Sequence, residues 1–208
     1  PWEGIDGQVS AMFFKPFVVR INFDESFIEL IPPEKFHYTG DGQRLHMYTG
    51  PENSRTIISE VVMHDNSRAS IELLIDLGGI HPLYLPIGKF DEIKLPPTAI
   101  EALLGAGFST QKGWMGGVKS IKFGKYVLND VIAAFSQVSK DATIYGNTMI
   151  GFPLLQRFNL LFNYPDSSLI LEPSRKYSDP FIANMTGMEF QLDPSSGLKV
   201  SKVYTGSS

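Results

Sequence analysis

The sequence predicts an all-β fold with short helices, and two observations support this prediction. Apolar and polar side chains alternate over short segments, which is the period of a half-buried strand. Clusters of Gly, Pro, Asn, Asp and Ser separate these segments, as expected for turns. The first hairpin shows both features, because strands at 17–23 and 27–31 flank a turn at 24–26 and end at Pro32 and Pro33. Proline ends a strand because it has no N–H to donate to the ladder.

The composition is that of a folded protein and excludes several classes of site. The chain has 208 residues, 43% hydrophobic and 12% aromatic, with a formal net charge of −4 and no cysteine. The lack of cysteine excludes a disulfide framework, a thiolate zinc site and a cysteine nucleophile. No basic block suggests a nucleic-acid surface, and no apolar run reaches the roughly 18 residues of a membrane span. The four histidines lack metal-ligand spacing, so we predict no metal and no cofactor.

Further strands are predicted along most of the chain. They lie at 56–63 and 69–76 around a turn at 65–67, at 83–87, at 118–123 and 126–135 as a long hairpin, and at 187–192 and 198–203.

The remaining segments are interpreted as loops or short helices. A polar, glycine-rich stretch at 38–52 is interpreted as a linker, and another at 109–117 as a loop. A short helix is predicted after Pro96, and one or two helical turns are predicted within 151–158. The apolar stripe of the first helix would consist of Ile100, Leu103 and Leu104.

Two segments of the chain repeat each other without a gap, at an offset of 141 residues (158 − 17 = 141). The matched pairs are Phe17 and Phe158, Asn22 and Asn163, Phe23 and Tyr164, Ser26 and Ser167, and Leu30 and Leu171. Unrelated hairpins also share apolar positions, but two of these pairs are polar. We therefore predict an internal duplication of a domain-sized lobe, with the two hairpins related by an approximate twofold axis. Most of the first copy would then lie ahead of Pro1.

One carboxylate stands out at the end of an apolar strand. The segment IELLIDLGGIHPLYL carries apolar residues up to Asp76 and then breaks at Leu77, Gly78 and Gly79. An aspartate before glycine commonly bonds its own backbone in a turn, and this structural interpretation stays open. The other interpretation places the carboxylate in an active site.

The residues that favour an active site resemble those of the bacterial retropepsin-like aspartic proteases. LLIDLGG, followed some 70 residues later by NTMIGFPLLQRFNLLFNYPDSSLILEP, resembles that family's apolar run into Asp-Thr-Gly-Ala and its later Ile-Leu-Gly segment. The resemblance implies an acid-protease-like closed barrel plus a partial sister lobe. It divides the chain into the end of a first lobe with a linker at 1–50, a second lobe at 51–179 and the start of a PDZ-like domain at 180–208. It also implies an extracytoplasmic location, that is, periplasmic, secreted or outer-surface.

The resemblance further implies an aspartic endopeptidase in which Asp76 is one member of a carboxylate pair. Such a pair shares one proton and activates a water molecule. Leu77, Gly78 and Gly79 would form the active-site loop, with Ile150 and Gly151 packed behind it. Trp114, Met115 and Gly116 would contact substrate as a flap, although Trp114 is equally well interpreted as a core residue. His81 is interpreted as a packed or surface histidine.

Two alternatives remain because Leu77 replaces the threonine of the family pattern. The protein is either an active enzyme or a catalytically inactive relative that binds peptides or has a structural role. Its partners would be a polypeptide substrate or ligand, and either an upstream lobe or a second chain that supplies the second aspartate. No nucleic acid and no membrane span are predicted.

Overall fold

The computed structural model describes residues 11–50, 53–105, 111–138, 148–182, 188–193 and 197–203. These residues are mostly in strands, with two four-residue helices and one 3₁₀ turn, which confirms the predicted all-β fold class with short helices. In chain order the elements are α1 (Ala11–Phe14), β1 (Val18–Asn22), β2 (Phe27–Ile31), the 3₁₀ turn (Pro33–Lys35), β3 (Gln43–His46), β4 (Tyr48–Thr49), β5 (Arg55–Val62), β6 (Arg68–Asp76), β7 (Leu83–Ile87), β8 (Ile100–Leu104), β9 (Gln111–Phe123), β10 (Tyr126–Gln137), β11 (Met149–Gly151), α2 (Phe152–Leu155), β12 (Phe158–Asn163), β13 (Ser168–Pro173), β14 (Met188–Asp193) and β15 (Gly197–Val203).

The larger sheet closes on itself. Its strand order is β4-β5-β6-β11-β7-β10-β9-β8, and an additional pairing joins β5 to β9. This pairing, which includes Val61 opposite Ile121, makes a ring of six strands. Fully buried side chains from the strands of this ring belong to one hydrophobic core, among them Ile57, Ile71, Leu73, Leu83, Leu85, Val118, Ile121 and Phe135. The predicted closed barrel is therefore present, and its core follows from the alternation of inward apolar residues along each strand.

The smaller sheet has five strands in the order β2-β1-β12-β13-β3. It contains both copies of the sequence repeat, and the secondary structure matches at the 141-residue offset. Helix α1 corresponds to α2, β1 to β12 and β2 to β13. The turns also match: Ser26 and Ser167 have φ values of 57° and 49°. In each turn an Asn Oδ1 accepts a backbone N–H, from Glu25 at Asn22 (2.9 Å) and from Asp166 at Asn163 (3.1 Å). The prediction that these hairpins share one conformation is confirmed.

The pairing of β1 with β12 has the twofold symmetry predicted from the repeat. The two strands are antiparallel, and Arg20 lies opposite Leu161. These two residues are also equivalent at the 141-residue offset. An antiparallel pair centred on equivalent residues is related by a twofold axis through that centre. The first hairpin is thus joined to the second across this axis.

Two local predictions were wrong, for one physical reason. Residues 100–104 form β8 rather than a helix, and residues 111–117 form part of β9 rather than a loop. The stretch at 38–52 includes β3 and β4, and its role as a linker remains a prediction. In each case the segment pairs with a neighbouring strand, as β8 does with β9 and β3 with β13. Backbone pairing to a neighbouring strand outweighs the local preference of proline and glycine for loops and helix starts.

The last two strands, β14 and β15, pair with each other to form a separate two-stranded sheet. The strands predicted at 187–192 and 198–203 therefore exist, whereas the PDZ-like domain and the domain boundaries remain predictions. No helix in the described ranges has the length and apolar character needed to cross a membrane.

Candidate active site

Asp76 is the last residue of β6, and β11 lies beside it. The two strands are parallel, with Ile150 opposite Ile75 and Gly151 opposite Asp76. On its other side β11 pairs antiparallel with β7, where Ile150 lies opposite Leu83. Strands β6 and β7 follow each other in the chain, but in the sheet β11 lies between them. Asp76 therefore lies at a strand end, with Ile150 and Gly151 packed beside its loop.

Backbone hydrogen bonds hold the loop at 77–82 against β11 and α2. The Gly151 N–H donates to the Pro82 carbonyl (3.0 Å), and the Phe152 N–H donates to the Gly79 carbonyl (2.9 Å). A further bond joins the Leu74 N–H to the Thr148 carbonyl (3.0 Å) at the other end of β11. Each end of the inserted strand is therefore attached to the strand or loop that carries the carboxylate.

Gly79 and Gly151 make this close approach possible. A Cβ atom at Gly151 would lie 2.2 Å from the His81 carbonyl oxygen and 2.7 Å from that of Gly79. A Cβ atom at Gly79 would lie 3.0 Å from the Gly151 Cα. Only glycine fits where two backbones meet so closely. The Leu-Gly-Gly and Ile-Gly motifs therefore pack directly against each other, although they are about 70 residues apart in the sequence.

The Asp76 carboxylate is half-buried and is held by its own loop. Its Oδ1 accepts the Gly78 N–H at 2.8 Å, and its backbone carbonyl accepts the Gly79 N–H at 3.2 Å. The Gly78 bond is the one expected if Asp76 is an ordinary turn residue that bonds its own backbone. The same bond also fixes the orientation of the carboxyl group, as a catalytic carboxylate requires. The bond alone does not separate the two interpretations.

Two titratable rings lie close to the loop. The rings of His81 and Tyr84 are 5.0 Å apart in an edge-to-face arrangement. Burial lowers the pKa of His81, and its buried Nε2 has no hydrogen-bond partner among the described residues. Burial raises the pKa of Tyr84, and the negative charge of Asp76 raises it further. His81 is therefore a packed histidine, in agreement with the sequence interpretation. Sequence reasoning missed Tyr84, whose only signal is its place early in β7.

An exposed apolar rim borders the loop. Leu77, Ile80 and Phe152 are large hydrophobic side chains that are substantially exposed. The Phe152 ring also contacts Phe23 of the first hairpin, at 5.7 Å between centroids. Leu77 has no side-chain group able to hydrogen-bond. The surface around Asp76 therefore offers apolar contacts, and it adjoins the first copy of the repeat.

Trp114, Met115 and Gly116 lie within β9 and not in a loop. Trp114 pairs with Glu101 of β8 on one side and Phe135 of β10 on the other, and its half-buried side chain packs on the core. The correction has a physical cause at Gly113, where a Cβ would lie 2.4 Å from Leu104 Cδ1 and 2.5 Å from the Phe135 carbonyl. The glycines thus allow close strand packing. Residues 106–110, which follow β8 and precede β9 in the sequence, lie outside the described ranges.

Comparisons with known proteins add one similar structure. No protein-family model matches the chain, and no curated protein matches it. Among solved structures the chain is similar to a retropepsin-like aspartic protease from Rickettsia conorii, with 17% sequence identity and a TM-score of 0.41. The match covers 65% of this chain and 95% of that chain. The chain's own sheets form a closed barrel with a strand inserted beside Asp76.

Proposed function

We propose that this chain carries one catalytic half of an aspartic-type endopeptidase, with Asp76 as one member of the carboxylate pair. One observation carries the proposal: Asp76, the last residue of β6, lies directly opposite Gly151 of the inserted strand β11. Backbone hydrogen bonds from Gly151 and Phe152 also hold the loop that follows Asp76. An ordinary turn aspartate needs only its local turn. Here two glycine motifs from distant segments are packed together to present one carboxylate in a fixed position.

The chemistry follows from the properties of a close carboxylate pair. Two carboxylates at short range cannot both be ionised, so the pair shares one proton. The pair also holds a water molecule between its two groups. One accepts a proton from the water while the other donates a proton to the scissile carbonyl. In this proposal Asp76 supplies one group, and an upstream lobe or a second chain supplies the other. The Leu77–Gly78–Gly79 loop positions Asp76, and Ile150 and Gly151 support that loop.

The proposed substrate is an extended polypeptide. The β8–β9 hairpin, which carries Trp114, Met115 and Gly116, is its proposed cover. The proposal includes the division into lobe segments at 1–50 and 51–179 and a PDZ-like domain from 180, in a bacterial protein that is periplasmic, secreted or outer-surface.

The test uses the complete natural polypeptide and a denatured protein substrate, scanned from about pH 3 to 8 on either side of the reference Asp pKa of about 3.9. We expect cleavage to be fastest at mildly acidic pH, where the pair holds one proton. Asp76→Asn should abolish cleavage because it keeps the side-chain shape and removes the titratable group. Asp130→Asn is the matched control, since Asp130 is exposed on β10 at a φ of 51° that Asn tolerates. Cleavage that survives Asp76→Asn excludes the mechanism.

Leu77 favours a second candidate function, an inactive relative that binds peptides. Leu77→Thr distinguishes the two, because it restores the hydroxyl of the family pattern. An active wild type should keep or gain activity in this variant. If the complete wild type cleaves nothing at any pH and still binds the denatured substrate, the binding function is the correct one.

A further inference from the structure

A side chain at the turn of the first hairpin contacts the segment that holds the Asp76 loop. Phe23 follows β1, and its ring lies edge-to-face against the ring of Phe152, with 5.7 Å between centroids and 80° between planes. Phe152 is the first residue of α2, and its N–H donates to the Gly79 carbonyl in the loop after Asp76, at 2.9 Å. A ring contact therefore connects the first copy of the repeat to the backbone that positions the candidate carboxylate.

Asn159 of β12 fixes the main chain at Phe23. Its Oδ1 accepts the Phe23 N–H and its Nδ2 donates to Asp24 Oδ2, both at 2.8 Å. The other oxygen of Asp24 accepts the Arg175 N–H at 2.8 Å, and this bond lowers the pKa of the Asp24 carboxyl. Asp24 is therefore ionised at mildly acidic pH and keeps both hydrogen bonds. We call Phe23, Asp24, Asn159 and Phe152 the turn support.

Three residues of the turn support are not repeated at the 141-residue offset. Their equivalents are Val18 for Asn159, Pro165 for Asp24 and Ala11 for Phe152. Valine and proline side chains have no hydrogen-bonding group, and alanine has no ring. The two hairpins nevertheless share one conformation, so the fold of a hairpin does not require the turn support. Its residues are explained instead by what they contact, which is the segment that holds the loop of the candidate site.

We propose that Phe23 and Asn159 are positioning residues of the candidate active site. Asn159 fixes the turn, Phe23 packs on Phe152, and Phe152 holds the Asp76 loop through its hydrogen bond to Gly79. Misplacing a reacting group by about 1 Å can cost about a hundredfold in rate, so loss of the turn support lowers the rate of the chemical step. The effect on catalysis rests on the proposed function, whereas the effect on the loop does not depend on it.

The first test measures amide hydrogen exchange in the 208-residue chain. The Gly151 N–H, which bonds the Pro82 carbonyl (3.0 Å), is compared with the Ser174 N–H, which bonds the Arg157 carbonyl (2.9 Å). Phe23→Leu should raise the ratio of the Gly151 rate to the Ser174 rate by about two- to tenfold, the factor that an aromatic pair contributes. Tyr164→Leu is the matched control, since Tyr164 is the equivalent of Phe23 in the repeat, and should leave the ratio unchanged. An unchanged ratio in Phe23→Leu overturns the proposal.

A second variant removes the same contact from its exposed side. Phe152 is 40% exposed, so Phe152→Leu should fold even if Phe23→Leu does not, and it should raise the exchange ratio by the same factor. The double variant Phe23→Leu/Phe152→Leu should raise the ratio no further than either single variant, because both remove one contact. Additive effects of the two substitutions would show that the rings are not coupled and would overturn the proposal.

The second test uses the complete natural polypeptide and the denatured protein substrate. Phe23→Leu should lower kcat by about 10- to 100-fold and leave KM unchanged, because the turn support does not touch the substrate. Phe23→Tyr should restore kcat since it keeps the ring, and Tyr164→Leu should have the wild-type kcat. An unchanged kcat in Phe23→Leu overturns the positioning role. If the wild type cleaves nothing, the catalytic proposal fails, and the exchange ratio still decides whether the turn support holds the loop.

Discussion

At the scale of single residues, the candidate site combines one carboxylate with groups whose protonation depends on burial. Asp76 is held by the Gly78 N–H, while His81 and Tyr84 contact each other beside the same loop. Burial disfavours the charged form of both rings, lowering the pKa of His81 and raising that of Tyr84. Burial therefore favours the neutral form of both rings beside the Asp76 loop.

The lowered pKa of His81 predicts a loss of stability in acid. The unfolded chain takes up a proton near the reference value of about 6.5, whereas the folded chain does so only at lower pH. Below about pH 6.5 the unfolded state therefore binds more protons, and the free energy of unfolding falls as the pH falls towards the folded pKa. His81→Gln should reduce the difference between urea midpoints at about pH 7.5 and 5.5, but His46→Gln, at an exposed position, should not. An unchanged difference in His81→Gln would contradict this account.

At the scale of elements, the site depends on a three-residue strand inserted between two longer ones. Strand β11 pairs with β6 and β7 at once, and its last residue is the glycine opposite Asp76. The repeat places Ser10 at the position equivalent to Gly151, so the duplicated segments differ at this point. In the second copy, the position before α2 must therefore be glycine to fit against the loop that follows Asp76, and the hairpin itself does not require this.

Gly151→Ala should destabilise the protein because the added Cβ would lie 2.2 Å from a backbone oxygen, which cannot move without shifting the loop. Overpacking of this kind costs about 1–3 kcal/mol, measured as a lower urea midpoint. Gly117→Ala is the matched control, since its Cβ would meet only the end of the His64 side chain, at 3.3 Å. Equal midpoints for wild type and Gly151→Ala would show that the loop adapts freely.

At the scale of the whole molecule, a buried arginine holds the segment that follows β13. The Arg157 guanidinium donates to the carbonyls of Lys176 (3.0 Å) and Pro180 (3.1 Å) and also to that of Asp179. The Phe181 ring lies 3.7 Å from the guanidinium carbon. A planar group with several donors can bind several carbonyls at once. Residues 176–181 are thus held to the same body as the candidate site.

Arg157→Lys should release this segment, because a single ammonium group cannot reach all three carbonyls. Limited proteolysis within 174–182 should become roughly tenfold faster or more, since each hydrogen bond to a charged group contributes about 1.5–3 kcal/mol. Arg175→Lys, at an exposed neighbouring position, should cleave at the wild-type rate. If Arg157→Lys also cleaves at that rate, the contacts do not hold the segment.

The sequence by itself determined the features that depend on local pattern and internal comparison. Alternation predicted the all-β class and strands such as β1, because the side-chain period of a strand can be read directly from the sequence. The ungapped repeat predicted two matching hairpins and their twofold relation. Asp76 could be singled out because it ends an apolar run before two glycines.

Only the tertiary structure decided features that depend on which segments pair or pack with each other. Residues 100–104 are a strand because β9 lies beside them, and Trp114 lies in a strand because β8 and β10 flank it. The meeting of Gly79 with Gly151 and the exposure of Ile28 against the burial of Leu169 are equally non-local. Backbone pairing and burial are properties of two segments together, so neither segment's own sequence contains them.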